Sequence, residues 1–159
     1  MTTATFTLPI ESPVGRLVLE SDGEVLRAIW LPHQAAGASA RGAGADAPPV
    51  LKETATQLAE YFDGTRTSFD VPMELDGTPF QREVWAELTR IPYGQTISYG
   101  ELARRVGRPK GPRAVGQANG KNPIPIIVPC HRVVASNGLG GYAGGLPLKQ
   151  ALLAGEGVT

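Results

Sequence analysis

The chain has 159 residues, a formal net charge of zero and a single cysteine. This length allows one globular domain or two small ones. One cysteine excludes an internal disulfide framework, and with only two histidines beside it the chain has too few soft ligands for a structural zinc site. We therefore expect no metal and no other cofactor.

No apolar stretch approaches the ~20 residues that span a bilayer. The N-terminus, Met-Thr-Thr-Ala-Thr, lacks the basic start and apolar core of a signal peptide. These features predict a soluble, cytoplasmic protein that does not associate with membranes.

Charge is distributed unevenly along the chain. Residues 1–80 carry five basic and eleven acidic side chains, whereas residues 81–132 carry nine basic and three acidic ones. A basic block in an otherwise acidic protein indicates a surface for a polyanion such as nucleic acid. The alternative is an ordinary solvated helix face.

The chain begins with a pattern typical of a small antiparallel sheet. Apolar runs at residues 5–10, 16–20 and 24–31 are separated by residues that favour tight turns, which predicts a three-stranded meander. Apolar residues then recur at helical spacing between 51 and 62. We expect this helix to pack on the sheet.

Two further segments complete the first part of the chain. Residues 33–49 are dominated by Ala, Gly, Ser and Pro and predict a mobile surface loop. Residues 69–75 predict one more strand. We therefore expect an α+β fold whose N-terminal domain, residues 1–76, is an antiparallel sheet with one helix.

From Thr78 the pattern becomes helical, which predicts a mainly helical C-terminal domain over residues 77–159. Thr78 is a helix N-cap, and Gln81 completes a capping box with it. Ser98 and Glu101 predict a second capping box.

Two short helices, at residues 98–106 and 113–119, are joined by a turn that contains Gly and Pro in the most basic part of the chain. They resemble a helix-turn-helix. Ala114, Gly116 and Ala118 give the second helix a thin surface, which suits close approach to a minor groove. Tight packing against a neighbouring helix is the alternative.

The only cysteine, Cys130, lies between Pro129 and His131 at the end of an apolar run. A thiol reacts as the thiolate, so a reactive cysteine needs a base or a positive charge nearby, and His131 and Arg132 are neighbours that can provide one. Adjacent side chains on an extended strand point to opposite faces, so His131 reaches the thiol either directly or through a water. The alternative is an inert, buried cysteine.

Two features after Cys130 bear on its chemistry. A histidine base is usually oriented by a carboxylate, and Glu156 is the nearby candidate. Residues 140–145, the glycine loop, surround Tyr142 and either bring backbone groups against a flat ligand or are merely flexible. Residues 147–154 predict a last helix.

The segment Pro129-Cys130-His131-Arg132-Val133 resembles the active-site signature of the O6-alkylguanine-DNA alkyltransferases, which remove an alkyl group from guanine in DNA. Residues 78–157 resemble the family closely, and residues 1–76 only in being a small, variable α+β domain. The other segments that resemble family motifs, in the same order, are Phe80-Gln81-Arg82-Glu83-Val84-Trp85, Ile91-Pro92-Tyr93-Gly94, Ser98-Tyr99, Arg113-Ala114-Val115-Gly116, Asn122-Pro123 and Gly141-Tyr142-Ala143-Gly144-Gly145.

The resemblance implies direct-reversal DNA repair, in which Cys130 takes a methyl or other alkyl group from O6 of guanine, and from O4 of thymine. It implies that His131 accepts the thiol proton through a water, that Glu156 orients His131 and that Tyr99 donates a proton toward guanine. A thioether is not reversed by thiol exchange, and the chain has no second cysteine, so each molecule is expected to act once.

The resemblance also implies a monomer that binds double-stranded DNA through the minor groove and needs no protein partner. Arg113 would fill the space left by an extruded base. Ala114 and Gly116 would let the helix lie in the groove, Tyr99 would lie near the phosphate of the flipped nucleotide, and Asn122 would tie the helix-turn-helix to the reactive strand.

Recognition of the base is expected from the backbone of Val133 and of the loop that contains Tyr142, Ala143 and Gly144, with Tyr142 as an apolar wall. Some family members have a serine at the position of Ala143, so a hydroxyl contact to guanine O6 is not expected here. The backbone N–H of this residue can serve instead.

Two other functions compete with alkyl transfer. One is a module that recognises DNA without transferring anything, but relatives of that kind lack the reactive cysteine. The other is a cysteine hydrolase that uses Cys130 and His131, but it would not account for Arg113 or for the basic helix-turn-helix.

Overall fold

The chain forms two compact units, one ending at Leu75 and the other beginning at Asp76. The first contains an antiparallel sheet and a helix, and the second is mostly helical, so the predicted α+β class is confirmed. No helix in the described part of the chain is both long and apolar enough to cross a membrane. The computed structural model describes residues 5–35, 47–108, 111–142 and 144–158.

The sheet of the first unit is the predicted meander. Its strands β1 (Phe6–Ile10), β2 (Leu17–Ser21) and β3 (Leu26–Trp30) pair antiparallel in that order. Leu17 and Leu19 of the central strand are fully buried. The turn residues in the sequence separate the strands because they allow the sharp reversals that a meander needs.

Two helices follow the sheet. Helix α1 (Pro32–Ala35) is a single turn, so the expected loop over 33–49 is wrong at its start, where Pro32 supplies a φ suited to the first helical position. Residues 36–46 of that loop lie outside the described residues. Helix α2 (Pro49–Phe62) confirms the helical spacing, and its apolar face packs against the sheet.

The predicted strand at 69–75 is wrong. Within the described residues its ladder is reduced to one bridge, between Met73 and β3. The side-chain amide of Gln57 in α2 bonds both backbone groups of Asp70, at 2.9 and 3.0 Å, and so replaces strand pairing there. Pro72 has no N–H, so it cannot donate to a ladder.

The second unit begins with helix α3 (Pro79–Leu88), whose predicted capping box is confirmed. The hydroxyl of Thr78 accepts the N–H of Gln81 at 3.1 Å, and the side-chain oxygen of Gln81 accepts the N–H of Thr78 at 3.0 Å. A Cβ at the preceding Gly77 would lie 2.5 Å from the Trp85 ring, so glycine is what lets the chain pass over that ring.

Replacement of Thr78 by alanine should lower the free energy of unfolding of this unit by about 1 kcal/mol, because the N–H of Gln81 loses its acceptor. Urea unfolding followed by the fluorescence of Trp85, in a background that carries Trp30→Phe, measures the change. Thr56→Ala, at an exposed hydroxyl in the middle of α2, is the matched control and should not weaken the second unit. Equal effects of the two substitutions would contradict the capping role.

Helices α4 (Tyr99–Arg105) and α5 (Pro112–Gly120) pack against each other as the predicted helix-turn-helix. Ser98 caps α4 by accepting the N–H of Glu101 at 3.0 Å. The predicted second capping box is wrong in its other half, because the carboxylate of Glu101 pairs with the two arginines at the end of α4 and not with the backbone of Ser98.

The remaining elements are a pair of two-residue strands next to the start of α4 and a last helix. Strands β4 (Ile97–Ser98) and β5 (Val133–Val134) pair in parallel, which the sequence did not indicate because two residues are too few to show a period. Helix α6 (Leu146–Gly155) confirms the predicted last helix.

Candidate active site

Asn122 holds the segment that leads to Cys130. Its side-chain oxygen accepts the N–H of Ile124 at 2.9 Å, and its Nδ2 donates to the carbonyl of Val128 at 2.7 Å. Residues 124–128 are buried, so these bonds satisfy backbone groups that water does not reach. Asn122 thereby joins the end of α5 to the cysteine segment.

Cys130 begins a single turn of 3-10 helix, Cys130–Arg132, that leads directly into β5. The backbone at this point is not extended, because the N–H of Arg132 folds back to the carbonyl of Pro129 at 3.0 Å. Successive side chains in such a turn diverge by about 120° and do not point to opposite faces. The turn therefore allows the side chains of two successive residues, His131 and Arg132, to reach the same carboxylate, that of Glu156.

The thiol of Cys130 is buried, and polar groups of three residues act on it. The side chains of Asn122 and Tyr142 and the charge of Lys149 all favour the thiolate. Burial raises the pKa of Cys130, and the side chains of Asn122 and Tyr142 and the positive charge of Lys149 oppose that rise. The resting residue is therefore a thiol at neutral pH, and its reaction needs a base.

His131 has the properties of such a base. Its ring is fully buried, and Nε2 lies 2.7 Å from a carboxylate oxygen of Glu156. Burial lowers the pKa of His131, which Glu156 opposes, so the ring is neutral at neutral pH. A neutral ring that donates from Nε2 to the carboxylate leaves the lone pair on Nδ1, and that atom has no hydrogen-bond partner among the described residues.

The sequence suggested that Arg132 provides a positive charge to the thiol, but its side chain has other partners. It binds the carboxylate of Glu156 through Nε at 2.8 Å and Nη2 at 3.1 Å, and donates from Nη1 to the carbonyl of Ile91 at 2.7 Å. The buried charge of Glu156 is thus balanced by an arginine, which leaves His131 free to stay neutral. The predicted proximity of Glu156 and His131 is present, and the contribution of Arg132 had no signal in the sequence.

Stability should fall on acidification because of His131. Its pKa in the folded state lies below the usual 6.5, so below that pH the unfolded state binds more protons and is favoured. We expect the wild-type urea midpoint to drop between about pH 7.5 and about pH 5.5, and His131→Gln to show a smaller drop. His33→Gln, at the exposed histidine of α1, should keep the wild-type drop. Parallel pH dependence in both variants would contradict the assignment.

Tyr99 lies where α4 meets the glycine loop. Its hydroxyl donates to the carbonyl of Gly141 at 3.3 Å, and a Cβ at Gly140 would lie 2.9 Å from its ring. Gly140 has a φ of 73°, so a side chain there would be strained as well as crowded. Burial, and next the nearby Cys130, raise the pKa of Tyr99, so its hydroxyl keeps its proton at neutral pH.

Lys149 is a site residue that sequence reasoning missed. It is fully buried, and its ammonium group contacts the backbone carbonyls of Val133, Leu139 and Gly141. A signal was present: Lys149 lies three and four residues before Leu152 and Leu153, on the apolar face of the predicted last helix.

The predicted DNA-contacting residues of α5 differ in their exposure. Arg113 and Ala114 are exposed, and Gly116 is half-buried, with its Cα facing the ring of Tyr99. The opposite face of α5 is buried, and there Trp85 donates to the carbonyl of Ala118 at 2.8 Å. Of the three small residues, Ala114 is therefore open to a partner, whereas Gly116 lies against Tyr99 and Ala118, contrary to the expectation, is buried.

The remaining predicted residues belong to the base-recognition set. Val133 is buried in β5, Tyr142 contacts the thiol, and Gly144 is half-buried in the glycine loop. Ala143 lies outside the described residues. The structure thus brings Cys130 together with Asn122, Tyr142 and Lys149, and joins His131 to Glu156 and Arg132, as the contacts above describe.

Both units match family models. A model described as "6-O-methylguanine DNA methyltransferase, DNA binding domain" matches residues 79–158, and one described as "6-O-methylguanine DNA methyltransferase, ribonuclease-like domain" matches residues 6–75. The two matches together leave out only short segments at the ends and between the units.

Relatives match over nearly the whole chain. The methylated-DNA--protein-cysteine methyltransferase of Methanosarcina acetivorans is 45% identical over 148 residues, which cover 92% of this chain and 95% of the relative. That of Mycolicibacterium paratuberculosis is 47% identical, with 91% and 88% covered. The crystal structure of Mycobacterium tuberculosis OGT in complex with DNA has a TM-score of 0.81 and 44% identity, with 95% and 92% covered. This chain therefore belongs to the methylated-DNA--protein-cysteine methyltransferase family.

Proposed function

We propose that this protein repairs DNA by direct reversal, transferring a methyl or other alkyl group from O6 of guanine, and from O4 of thymine, to the sulfur of Cys130. One observation carries the proposal. The only cysteine of the chain shares a 3-10 turn with a neutral, buried His131 whose Nδ1 has no hydrogen-bond partner in the described part of the chain. A buried thiol needs such a base to become a nucleophile.

The chemical step then uses three side chains. Nδ1 of His131 takes the thiol proton through a water, and Glu156 stabilises the imidazolium that forms. The thiolate attacks the alkyl carbon, so that an S–C bond forms while the C–O6 bond breaks and its electron pair passes to guanine. Tyr99 donates a proton toward guanine, which leaves neutral, and the thiol proton held by His131 balances the one that guanine receives.

The transfer is irreversible and occurs once per molecule. The product is a thioether, which ordinary thiol exchange does not cleave, and the chain has no second cysteine to resolve it. The protein is therefore consumed stoichiometrically, one molecule for each lesion.

The partner is double-stranded DNA, bound through the minor groove. The M. tuberculosis relative was solved in complex with DNA, which supports DNA binding by this chain. Arg113 and Ala114 lie on the exposed face of α5, where an arginine can enter the base stack and small residues allow close approach. Gly116 keeps the helix close to Tyr99, and Asn122 couples α5 to the reactive turn.

The extruded base is recognised by backbone groups beside the thiol. The carbonyl of Val133 has a second lone pair besides the one used by Lys149, so it can accept from the base. Tyr142 forms an apolar wall at the thiol, and backbone groups of Ala143 and Gly144 complete the site.

The protein acts as a monomer in the cytoplasm, without a cofactor or an obligatory protein partner. All groups assigned to the reaction come from one chain. A reducing compartment keeps the reactive thiol from oxidation, which supports the cytoplasm as its location.

Intact-protein mass spectrometry tests this function. The protein is mixed with a duplex oligonucleotide that contains O6-methylguanine, and we expect a mass gain of one methyl group that peptide mapping assigns to Cys130. An unmodified duplex of the same sequence is the control. Tight binding to the lesion with unchanged protein mass would instead indicate a module that recognises DNA without transfer.

Arg113→Ala should slow repair of duplex DNA by about a hundredfold, because nothing replaces the extruded base, whose extrusion costs a few kcal/mol. Reaction with free O6-benzylguanine, which needs no extrusion, should change by less than about twofold. Single-turnover rates with both substrates measure the difference. Arg66→Ala, in the first unit, is the control for loss of an arginine. Equal slowing of Arg113→Ala with both substrates would contradict the extrusion role of Arg113.

A further inference from the structure

Lys149 is an unusual residue for the interior of a helical unit. Lysine is rarely fully buried, yet Lys149 in α6 has no exposed surface. Its Nζ lies 2.6 Å from the carbonyl oxygen of Val133, 2.5 Å from that of Leu139 and 3.0 Å from that of Gly141. An ammonium group has three N–H donors, so the three carbonyls use all of them.

The three carbonyls belong to the two segments from which base recognition is expected. Val133 begins β5, directly after the reactive turn, Leu139 directly precedes the glycine loop, and Gly141 lies within it. The carbonyl of Gly141 also accepts the hydroxyl of Tyr99. Lys149 is therefore bonded to both β5 and the glycine loop, the two walls of the base-recognition site. It also shares the carbonyl of Gly141 with Tyr99, the proposed proton donor.

The arrangement depends on a charged lysine. Burial lowers the pKa of Lys149 to about 8, so the ammonium form still predominates at neutral pH. A neutral amine has two donors and a lone pair, which would face one of the three oxygens. An apolar side chain of similar length would fill the space but leave the buried carbonyl of Val133 and the partly buried carbonyls of Leu139 and Gly141 without this donor.

We infer that Lys149 is a positioning residue for alkyl transfer, whose ammonium group sets the geometry of the guanine-recognition walls beside Cys130. It acts through Val133, Gly141 and Tyr99 and does not itself react. The inference rests on the proposed function, because it concerns the recognition of the guanine that carries the alkyl group.

Two reagents that attack the same thiol separate this role from general stability. O6-Benzylguanine must be recognised as a base, whereas iodoacetamide needs only a thiolate. The ratio of their second-order rate constants is measured at one pH and at a temperature at which each variant is folded, and it then cancels the thiolate fraction. It therefore reports recognition of the base even where the thiol of a variant has a different pKa.

We expect this ratio to fall about tenfold or more in Lys149→Met, because small displacements of positioning groups cost large factors in rate. Lys149→Arg keeps the charge and several donors, and should recover much of the ratio. Lys52→Met, at an exposed lysine of α2, should leave the ratio at the wild-type value.

The outcomes distinguish failure of the positioning role of Lys149 from failure of the proposed function. A Lys149→Met ratio that falls by less than about tenfold overturns the positioning role, provided that the wild-type protein takes up the benzyl group. A wild-type protein that takes up none refutes the proposed function itself, and the inference with it. A fall that Lys149→Arg does not reverse at all also overturns the role of the charge.

Discussion

Cys130→Ala should take up no alkyl group from O6-methylguanine DNA under conditions in which the wild-type protein is converted completely. The chain has no other cysteine, so no second thiol can substitute as acceptor. The wild-type protein should gain one methyl group per chain and no more, however large the excess of substrate. Intact mass against the molar ratio of oligonucleotide measures both expectations.

The same variant separates chemistry from binding. The side chain of Cys130 is buried, and the exposed face of α5 does not include it, so DNA affinity should stay within about threefold of wild type. Wild-type and variant binding are compared at one salt concentration, because phosphate contacts make affinity strongly dependent on salt. Continued methyl uptake by Cys130→Ala would refute the assignment of the acceptor.

Glu156→Gln should lower both stability and activity. It removes the carboxylate that Arg132 binds through two atoms, and an uncompensated buried guanidinium costs about 3–5 kcal/mol. Urea unfolding at neutral pH measures this loss. Glu87→Gln, which removes one carboxylate of a partly exposed pair with Arg90 in the same unit, is the control and should cost less than about 1 kcal/mol.

The loss of activity has a separate cause. An amide at position 156 can donate to Nε2 of His131, which then carries its proton on Nδ1 and cannot accept one there. We expect the rate with free O6-benzylguanine to fall by about a hundredfold or more when measured at a temperature at which the variant is folded. A folded variant that reacts at the wild-type rate would remove Glu156 from the proton path.

Most of the fold was predictable because its signals are local. The capping box at Thr78 and Gln81, the turns of the meander and the apolar spacing of α2 each depend on residues a few positions apart. The strand expected at 69–75 failed for the opposite reason. A side chain from α2 satisfies its backbone there, and a bond between residues so far apart leaves no local pattern.

The sequence by itself determined the reactive group, the class of chemistry and the basic helix-turn-helix. Those depend on residue types: one thiol, a histidine next to it and arginines clustered in one part of the chain. The resemblance of neighbouring motifs then identified what the thiol attacks, and the family comparisons agree.

Only the tertiary structure decided which partner and which role each side chain around the thiol has. Arg132 is adjacent to His131 in sequence, and the 3-10 turn brings both side chains to the carboxylate of Glu156, where Arg132 balances the charge and does not act on the thiol. Lys149 is charged and would be expected at the surface, yet three carbonyls from distant segments hold it inside. Burial and hydrogen-bond partners set the protonation state of such groups, and both arise only when segments far apart in sequence come together.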